Sequence, residues 1–206
     1  MMRGFFYIQY LPENLNAEFL TGRCIRLLHG FMTKNQLFNI GLSFPSWSEA
    51  SVGNTIAFIS KDSQLLTNLK SQKYFLNMAA EGYFKVSDVI GIPPDFVTKE
   101  LIFFRERQQE KLTPAARLRN LERLKKRAEA RGEIYQPAQL FSESKLIEKT
   151  HPVPVEGSNR KMIQFNLGKI EDVTRNDDKF SSYGLGSAHD KIGTVPCVKP
   201  FFRQTP

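Results

Sequence analysis

The first ninety residues carry the feature that most restricts the fold, which is the order of the predicted secondary structure. Alternating runs of β-branched and aromatic residues predict strands, and apolar residues spaced three and four apart predict helices. The elements are, in order, a strand at Phe5–Leu11, a helix from Asn16 to about Thr33, strands at 39–45 and 54–60, a helix at 63–72 and a strand at 82–89. This β-α-β-β-α-β order is that of a ferredoxin-like, or RRM-like, domain.

The residues after position 90 predict a second, smaller α+β lobe. The segment Ile90–Phe96 contains a glycine and two prolines, which are typical of a linker. It is followed by a strand at Leu101–Arg107, a long helix, an irregular polar stretch from about Ile134 to Asn159, and strands at Met162–Ile170 and Lys179–Leu185. We therefore expect an α+β protein with a ferredoxin-like domain at 1–92 and a second domain at 93–206.

The long helix of the second lobe is predicted to be amphipathic and basic. Thr113 can cap it, Pro114 suits its first turn and Gly132 can end it, so the helix should span about Pro114 to Arg131. One side collects apolar residues, which we expect to pack: Leu118, Leu121, Leu124 and Ala128. The opposite side collects cations, which we expect to face solvent: Arg119, Arg123, Lys126 and Arg127.

Positive charge is concentrated around this helix. Residues 105–131 contain ten Lys or Arg and four Glu, a net of +6 in a chain whose total is +8. A basic helix can simply be a solvated surface, but Glu122 and Glu129, which could pair with its cations, lie largely off the basic side. Because the apolar side offers only Leu and Ala, RNA or DNA is a better partner for this helix than a membrane surface.

Several other classes of protein are disfavoured. No apolar run is long enough to span a bilayer, and the N-terminus reaches Pro and Glu too early for a signal peptide, so we expect a cytoplasmic protein without membrane contact. Cys24 and Cys197 lack the spacing of a zinc site or a disulfide framework and are predicted to be free, buried thiols. Scattered acidic residues and the lack of a phosphate-binding glycine motif predict neither a metal ion nor a cofactor.

His29 is the histidine to which chemistry is most easily assigned. On the predicted first helix it lies about 180° from the apolar stripe, which consists of Leu20, Cys24, Leu27 and Phe31. In most proteins such a residue is a solvated surface histidine. Next to a nucleic-acid surface, however, an imidazole can remove the proton of a ribose 2′-hydroxyl or protonate a leaving 5′-oxygen. His151, predicted in a loop, and His189 have no visible partner and are assigned no function.

Four short motifs occur in the order found in one family. They are LLHG at 27–30, NIGLSFPSW at 39–47, an Arg-Glu-Arg strand end followed by the basic helix, and FSSYGLG at 180–186. Together they resemble the CRISPR-RNA repeat endoribonucleases of type I-F systems. The resemblance is greatest to the branch carried by Tn7-like transposons that use a guide complex for targeting.

This resemblance implies a metal-independent endoribonuclease. It would cut precursor CRISPR RNA at the 3′ base of the repeat hairpin and leave a 2′,3′-cyclic phosphate and a 5′-hydroxyl. His29 would be the general base, and Tyr183 would orient or support it, although without the family Tyr183 reads more simply as a packed strand aromatic. The family's serine falls in a segment where Ser158 is the remaining hydroxyl.

The resemblance also implies how the RNA would be held. The basic helix would enter the groove near the end of the stem and contact phosphates, through Arg117, Arg119, Arg123, Lys126, Arg127 and Arg131. Arg105 and Arg107 stand where the family reads base edges with an Arg-x-Gln pair, so the base preference at the second position would differ. Met162 or Ile163 stands where the family stacks an aromatic residue on the terminal base pair.

The family places such a protein at one end of a guide complex. It would keep the cleaved hairpin, contact the backbone and the large and small subunits, and in the transposon branch lie beside the adaptor TniQ. Two alternatives stay open, a hairpin-binding scaffold that has lost cleavage and a ribosomal or other structural RNA-binding protein. The presence of both His29 and Tyr183 favours the enzyme.

Overall fold

A computed structural model of the protein describes residues 2–93, 96, 99–107, 114–135, 149–157, 159–176 and 179–203, including all of their side chains except those of 114–117 and 203. Within these residues the chain forms two antiparallel sheets, which confirms the α+β class. None of the helices in the described part is long and apolar enough to cross a bilayer.

The first sheet has the strand order of a ferredoxin-like domain. Its strands are β1 (Gly4–Tyr10), β2 (Gly41–Ser43), β3 (Thr55–Ser60) and β4 (Phe84–Val86). They are arranged β2-β3-β1-β4, with every neighbouring pair antiparallel. The predicted β-α-β-β-α-β order is therefore confirmed. The prediction of a linker from residue 90 is wrong at its start, because β5 (Ile90–Gly91) pairs with Gly4 and Phe5 of β1.

Three helices accompany the first sheet: α1 (Ala17–Asn35), α2 (Ser63–Lys70) and α3 (Lys73–Ala80). The side chain of Asn16 caps α1 by accepting a hydrogen bond from the Phe19 amide at 2.8 Å. The helix predicted at 63–72 corresponds to α2, and α3 was not predicted. The chain breaks there at Ser71 and Gln72, and a second helix of equal length follows.

The buried side of α1 differs from the predicted stripe. Leu20 and Cys24 are buried as expected, but Leu27 and Phe31 are only half-buried, and Leu28 and Met32 are in the core instead. The reason is that α1 packs against the second sheet as well as against Tyr10 of the first, which widens and rotates its buried arc. His29 therefore lies at the edge of this arc and is half-buried, rather than opposite to it.

The second sheet has the order β7-β8-β6-β9 and is followed by a short 3₁₀ helix. Its strands are β6 (Glu100–Arg105), β7 (His151–Glu156), β8 (Met162–Val173) and β9 (Val195–Pro196). The sequence missed β7, because Pro152 and Pro154 cannot donate hydrogen bonds to a sheet. Prolines are tolerated in β7 because, among the described residues, it is an edge strand that pairs with β8 alone.

The predicted strand at 179–185 is wrong. These residues form a turn in which the Gly184 amide donates to the Ser181 carbonyl at 2.8 Å and the Ser181 amide to the Leu185 carbonyl at 2.9 Å. Gly184 has φ +73°, a left-handed conformation that a strand does not contain and that glycine adopts at little cost.

The two lobes pack through a single hydrophobic cluster. It extends from Phe5 and Phe58 of the first sheet to Phe103 and Phe165 of the second. A largely buried ion pair also joins the lobes, with Nη1 of Arg3 3.0 Å from Oε2 of Glu100. The division into domains at residue 92 stays a prediction, but the described lobes share one core.

Candidate active site

His29 is held between one ring contact and one hydrogen bond. Its imidazole stacks on the ring of Tyr183, with centroids 4.1 Å apart and planes within 9° of parallel. Its Nδ1 is 3.0 Å from Oγ of Ser182. The two residues that the sequence proposed as catalytic partners, His29 and Tyr183, are thus in direct contact.

The turn at 181–185 presents Ser182 and Tyr183 to α1. The Gly184 carbonyl accepts a hydrogen bond from the Leu42 amide of β2 at 2.9 Å, which fastens the turn to the first sheet. A Cβ on Gly184 would lie 2.5 Å from Cδ2 of Leu28, one residue before His29. Glycine at this position lets the turn approach α1 this closely, so Gly184 of the FSSYGLG motif has a structural role.

A row of contacts connects His29 to the end of β6. Tyr183 meets Phe165 of β8 edge to face, with centroids 5.0 Å apart. The guanidinium carbon of Arg105 lies 3.5 Å from the centroid of the Phe165 ring, a cation–π contact. Arg105, which was predicted to read a base edge, and His29, which was predicted to cut the RNA, therefore lie at two ends of one short row of side chains.

The surroundings of His29 favour its neutral form. Partial burial lowers its pKa below the ordinary value of 6.5, and the nearby charge of Arg26 lowers it further, while hydrogen bonding to the backbone of Ser182 acts in the opposite direction. A neutral imidazole has one unprotonated nitrogen. If Nδ1 donates its proton to Ser182, Nε2 can accept a proton from a substrate.

Ser182 is a site residue that sequence reasoning missed. Ser158, the serine that the sequence proposed, lies outside the described residues. The signal was present in the motif FSSYGLG, but a strand was predicted there. Adjacent side chains of a strand point to opposite faces, so Ser182 and Tyr183 could not both have reached His29, whereas in the observed turn they do.

The basic helix, α4 (Pro114–Ala130), ends one residue before its predicted end. Gly132 has φ +71° and donates from its amide to the Glu129 carbonyl at 3.0 Å, the helix-ending role predicted for it. Thr113, the predicted cap, lies outside the described residues, and so does the side chain of Arg117.

The four cations of the basic side are exposed, as predicted: Arg119, Arg123, Lys126 and Arg127. Arg131 is exposed as well and pairs with Glu133 at 2.8 Å. The prediction for the apolar side is only partly right, since Ala128 is buried but Leu118 is 62% exposed. The helical period indicates which side of the helix can pack. The tertiary structure decides how much of that side is covered by the rest of the protein.

Other predicted RNA contacts lie on the same lobe. Arg107 lies just beyond β6 and is exposed. It is the last residue described before α4. At the start of β8, Met162 and Ile163 are 51% and 43% exposed, which is unusual for large apolar side chains of a strand. Their exposure leaves them free to meet a flat apolar partner, and stacking on RNA stays a prediction.

The remaining histidines and the cysteines have structural explanations. His151 is not in a loop but begins β7, where it is buried, with Nε2 2.9 Å from the Ser48 carbonyl. His189 is exposed beside Asp190. Cys24 is buried, which raises the pKa of its thiol to about 12, but Cys197 is only half-buried, contrary to prediction. Among the described residues, no three His, Cys, Asp or Glu side chains form a group that could hold a metal ion.

The chain was compared with known proteins. A family described as CRISPR-associated protein (Cas_Csy4) matches residues 5–198. Among solved structures, the CRISPR endoribonuclease Cse3 bound to a 19-nucleotide RNA is 14% identical over 84% of each chain, with a TM-score of 0.37. Cse3 of Thermus thermophilus, bound to an RNA representing a pre-cleavage complex, is 12% identical over 90% of this chain and 97% of that one, with a TM-score of 0.36. No curated protein sequence matches significantly. Because the family match covers nearly the whole length, this chain belongs to the Csy4 family of CRISPR-associated proteins.

Proposed function

We propose that the protein is an endoribonuclease that binds the repeat hairpin of precursor CRISPR RNA and cuts it at its 3′ base. The observation that carries this proposal is the placement of His29, stacked on Tyr183 and hydrogen-bonded to Ser182, at one end of a row of contacts that begins at Arg105. Membership of the Csy4 family supports a CRISPR RNA as the substrate.

The proposed reaction uses the ribose of the substrate as its nucleophile. Nε2 of His29 removes the proton of the 2′-hydroxyl, and the 2′-oxygen attacks the adjacent phosphorus. The bond from phosphorus to the 5′-oxygen breaks, and that oxygen takes up a proton. The products are a 2′,3′-cyclic phosphate and a 5′-hydroxyl. Because the base and the nucleophile come from an imidazole and the RNA itself, we propose that no metal ion takes part.

Ser182 and Tyr183 act as positioning residues in this proposal. The stacked ring of Tyr183 limits rotation of the imidazole, and the Ser182 hydroxyl selects the tautomer by engaging Nδ1. Both effects keep Nε2 directed at the 2′-hydroxyl, and such orientation contributes strongly to rate. A role for Ser158 in the site is supported by the family resemblance alone.

The second lobe holds the hairpin in this proposal. The exposed cations of α4 contact the phosphates of the stem, and Arg105 and Arg107 contact base edges near the cut. We further propose that the cleaved hairpin stays bound, so that the protein becomes the end subunit of a type I-F guide complex in the bacterial cytoplasm. In a Tn7-like transposon the adaptor TniQ would be its neighbour, which rests on the sequence resemblance alone.

Cleavage of the protein's own repeat RNA in excess EDTA tests the proposal. Three reactions are compared: wild type on all-ribose RNA, His29→Ala on the same RNA, and wild type on RNA with one 2′-deoxyribose before the cut. We expect cleavage in the first reaction alone, with a cyclic phosphate end. Tight hairpin binding without cleavage in any reaction would instead indicate a scaffold subunit, and equal affinity for unrelated stems would indicate a general RNA-binding protein.

A further inference from the structure

A pocket of about 440 Å³ opens on α1 next to the candidate active site. Six residues of α1 line it, from Arg26 to Asn35, and Gln72 between α2 and α3 completes the wall. All of these residues belong to the first lobe. The pocket is separate from the row of side chains that joins His29 to Arg105, since it shares no residue with it.

The lining of the pocket suits a nucleotide. Arg26 and Lys34 are eight positions apart on α1, so their α-carbons are separated by about 12 Å along the helix. Gly30 lies midway between them, and a Cβ there would meet nothing within 4 Å, so the floor between the cations is open. Phe31 offers a half-buried ring. Asn35 and Gln72 offer side-chain oxygens, because their amide nitrogens already donate to main-chain carbonyls.

The two cations are available for an external anion. Within the described part of the chain, neither Arg26 nor Lys34 takes part in any of the ion pairs. Cations that line the same pocket as an aromatic ring are the combination with which proteins hold single-stranded RNA, with phosphates on the cations and a base on the ring.

The position of the pocket indicates which nucleotide it would receive. Arg26 precedes His29 by three residues, so the two side chains are neighbours on the surface of α1. Ser182 and Tyr183 contact His29 from the segment that joins β8 to β9 in the second lobe, whereas the pocket is lined entirely by the first lobe. An RNA strand that runs from Arg105 past His29 therefore continues toward Arg26 and the pocket.

We infer that this pocket, defined by Arg26, Gly30, Phe31 and Lys34, binds the unpaired nucleotide on the 3′ side of the cut. The inference rests on the proposed function, because a stem held by the second lobe leaves the downstream nucleotide for the first lobe. That nucleotide carries the leaving 5′-oxygen. Holding it would align the breaking bond with the attacking 2′-oxygen.

Binding of two RNAs measures the pocket without relying on cleavage. One RNA is the hairpin ending at the cut, the other continues for four nucleotides on the 3′ side, and His29→Ala protein prevents cutting. We expect the longer RNA to bind at least about fivefold more tightly, because stacking and a phosphate contact are added. Gly30→Glu, which puts a carboxylate on the pocket floor, and Lys34→Ala should bring this ratio close to one.

Lys85→Ala is the matched control, since Lys85 is an exposed cation of the first lobe on β4, outside the pocket. It should keep the ratio of wild type. Equal affinities for the two RNAs, or a Gly30→Glu effect of the same size on both, would overturn the inference. Failure of wild type to cut the longer RNA would refute the proposed function but not the pocket, because the binding ratio is measured on uncut RNA.

Discussion

His29 meets two requirements of a general base, a neutral ring and a fixed orientation. Partial burial and the charge of Arg26 disfavour the imidazolium, and this lowers its pKa. The stacked ring of Tyr183 and the hydroxyl of Ser182 restrict its rotation. A surface histidine without these contacts would have no fixed orientation, and its ring would be neutral only if neighbouring groups lowered its pKa.

The pH dependence of cleavage should report this pKa. A protonated imidazole cannot accept the 2′-hydroxyl proton, so the single-turnover rate should be constant around neutral pH and fall as the pH drops through the pKa of His29. Because that pKa is lowered from 6.5, the inflection should lie below 6.5. Arg26→Ala removes a repelling charge and should move the inflection to higher pH. A wild-type inflection above 6.5 would contradict the role of His29 as a partly buried base.

Variants of Tyr183 separate its ring from its hydroxyl. Tyr183→Phe keeps the stacked ring and should retain most of the cleavage rate. Tyr183→Ala leaves the imidazole free to rotate and should slow single-turnover cleavage by at least about tenfold, with hairpin affinity little changed. Tyr83→Ala, at an exposed tyrosine of the first lobe, is the control. If Tyr183→Ala cuts at the wild-type rate, the stack is packing alone.

At the scale of elements, α4 contributes charge and α1 contributes precise packing. The cations of α4 are exposed on one side of the helix, with glutamates largely elsewhere. α1 instead touches both sheets, and its Gly22 lies so close to β7 that a Cβ would come within 1.9 Å of the Pro154 carbonyl oxygen. We therefore expect α1 to be sensitive to changes in side-chain volume and α4 to be sensitive to changes in charge.

Removing two cations from α4 should weaken RNA binding and its salt dependence together. Arg119→Ala with Arg123→Ala should cost about 2 kcal/mol of binding free energy at moderate salt. The slope of log affinity against log salt should decrease in magnitude by about two, one for each lost phosphate contact. Lys125→Ala, an exposed residue on another side of the same helix, is the matched control. An unchanged slope in the double variant would remove α4 from the RNA interface.

Two glycines of α1 should respond oppositely to the same substitution. Gly22→Ala forces a methyl group into the backbone of β7 and should lower the free energy of unfolding by at least about 2 kcal/mol. Gly30→Ala adds its methyl group in open space and should raise that free energy by up to about 1 kcal/mol, because alanine is the better helix former. Urea unfolding measures both. Equal effects of the two substitutions would mean that α1 and β7 are not in close contact.

At the scale of the molecule, the lobes are joined by their core and not merely by a linker. Arg3 of the first lobe forms its largely buried ion pair with Glu100 of the second. Trp47, the one tryptophan of the chain, lies at the junction, with its ring 5.6 Å from that of Phe103 and 4.5 Å from that of His151. The candidate active site spans the same junction, so its geometry depends on the docking of the lobes.

The shared core predicts a single cooperative unfolding transition. Tryptophan fluorescence reports the junction through Trp47, while far-ultraviolet circular dichroism reports the secondary structure of both lobes. The two signals should change at the same urea concentration. Glu100→Gln, which removes the buried negative charge that pairs with Arg3, should lower that midpoint for both signals. A loss of fluorescence that precedes the circular dichroism change would mean that the lobes separate before they unfold.

The sequence by itself determined the features whose physical causes are local. The β-α-β-β-α-β order follows from hydrophobic periods within short segments, and the end of α4 follows from Gly132, whose left-handed φ favours glycine. The exposure of the basic side of α4 follows from charge, which stays in water unless it is paired. The family resemblance likewise depended on short motifs in order. The family match over residues 5–198 confirms the family, and the Tn7-like branch stays a prediction.

Only the tertiary structure decided which segments that are distant in the sequence come into contact. Ser182 contacts His29 across 153 positions, and only the turn around Gly184 lets Ser182 and Tyr183 reach the same imidazole. Strand β7 forms despite its two prolines because its outer edge needs no hydrogen-bond donors. A period along the chain tells which side of an element is apolar. Which segment covers that side, and which polar groups are thereby brought together, is settled by the packing of the whole chain.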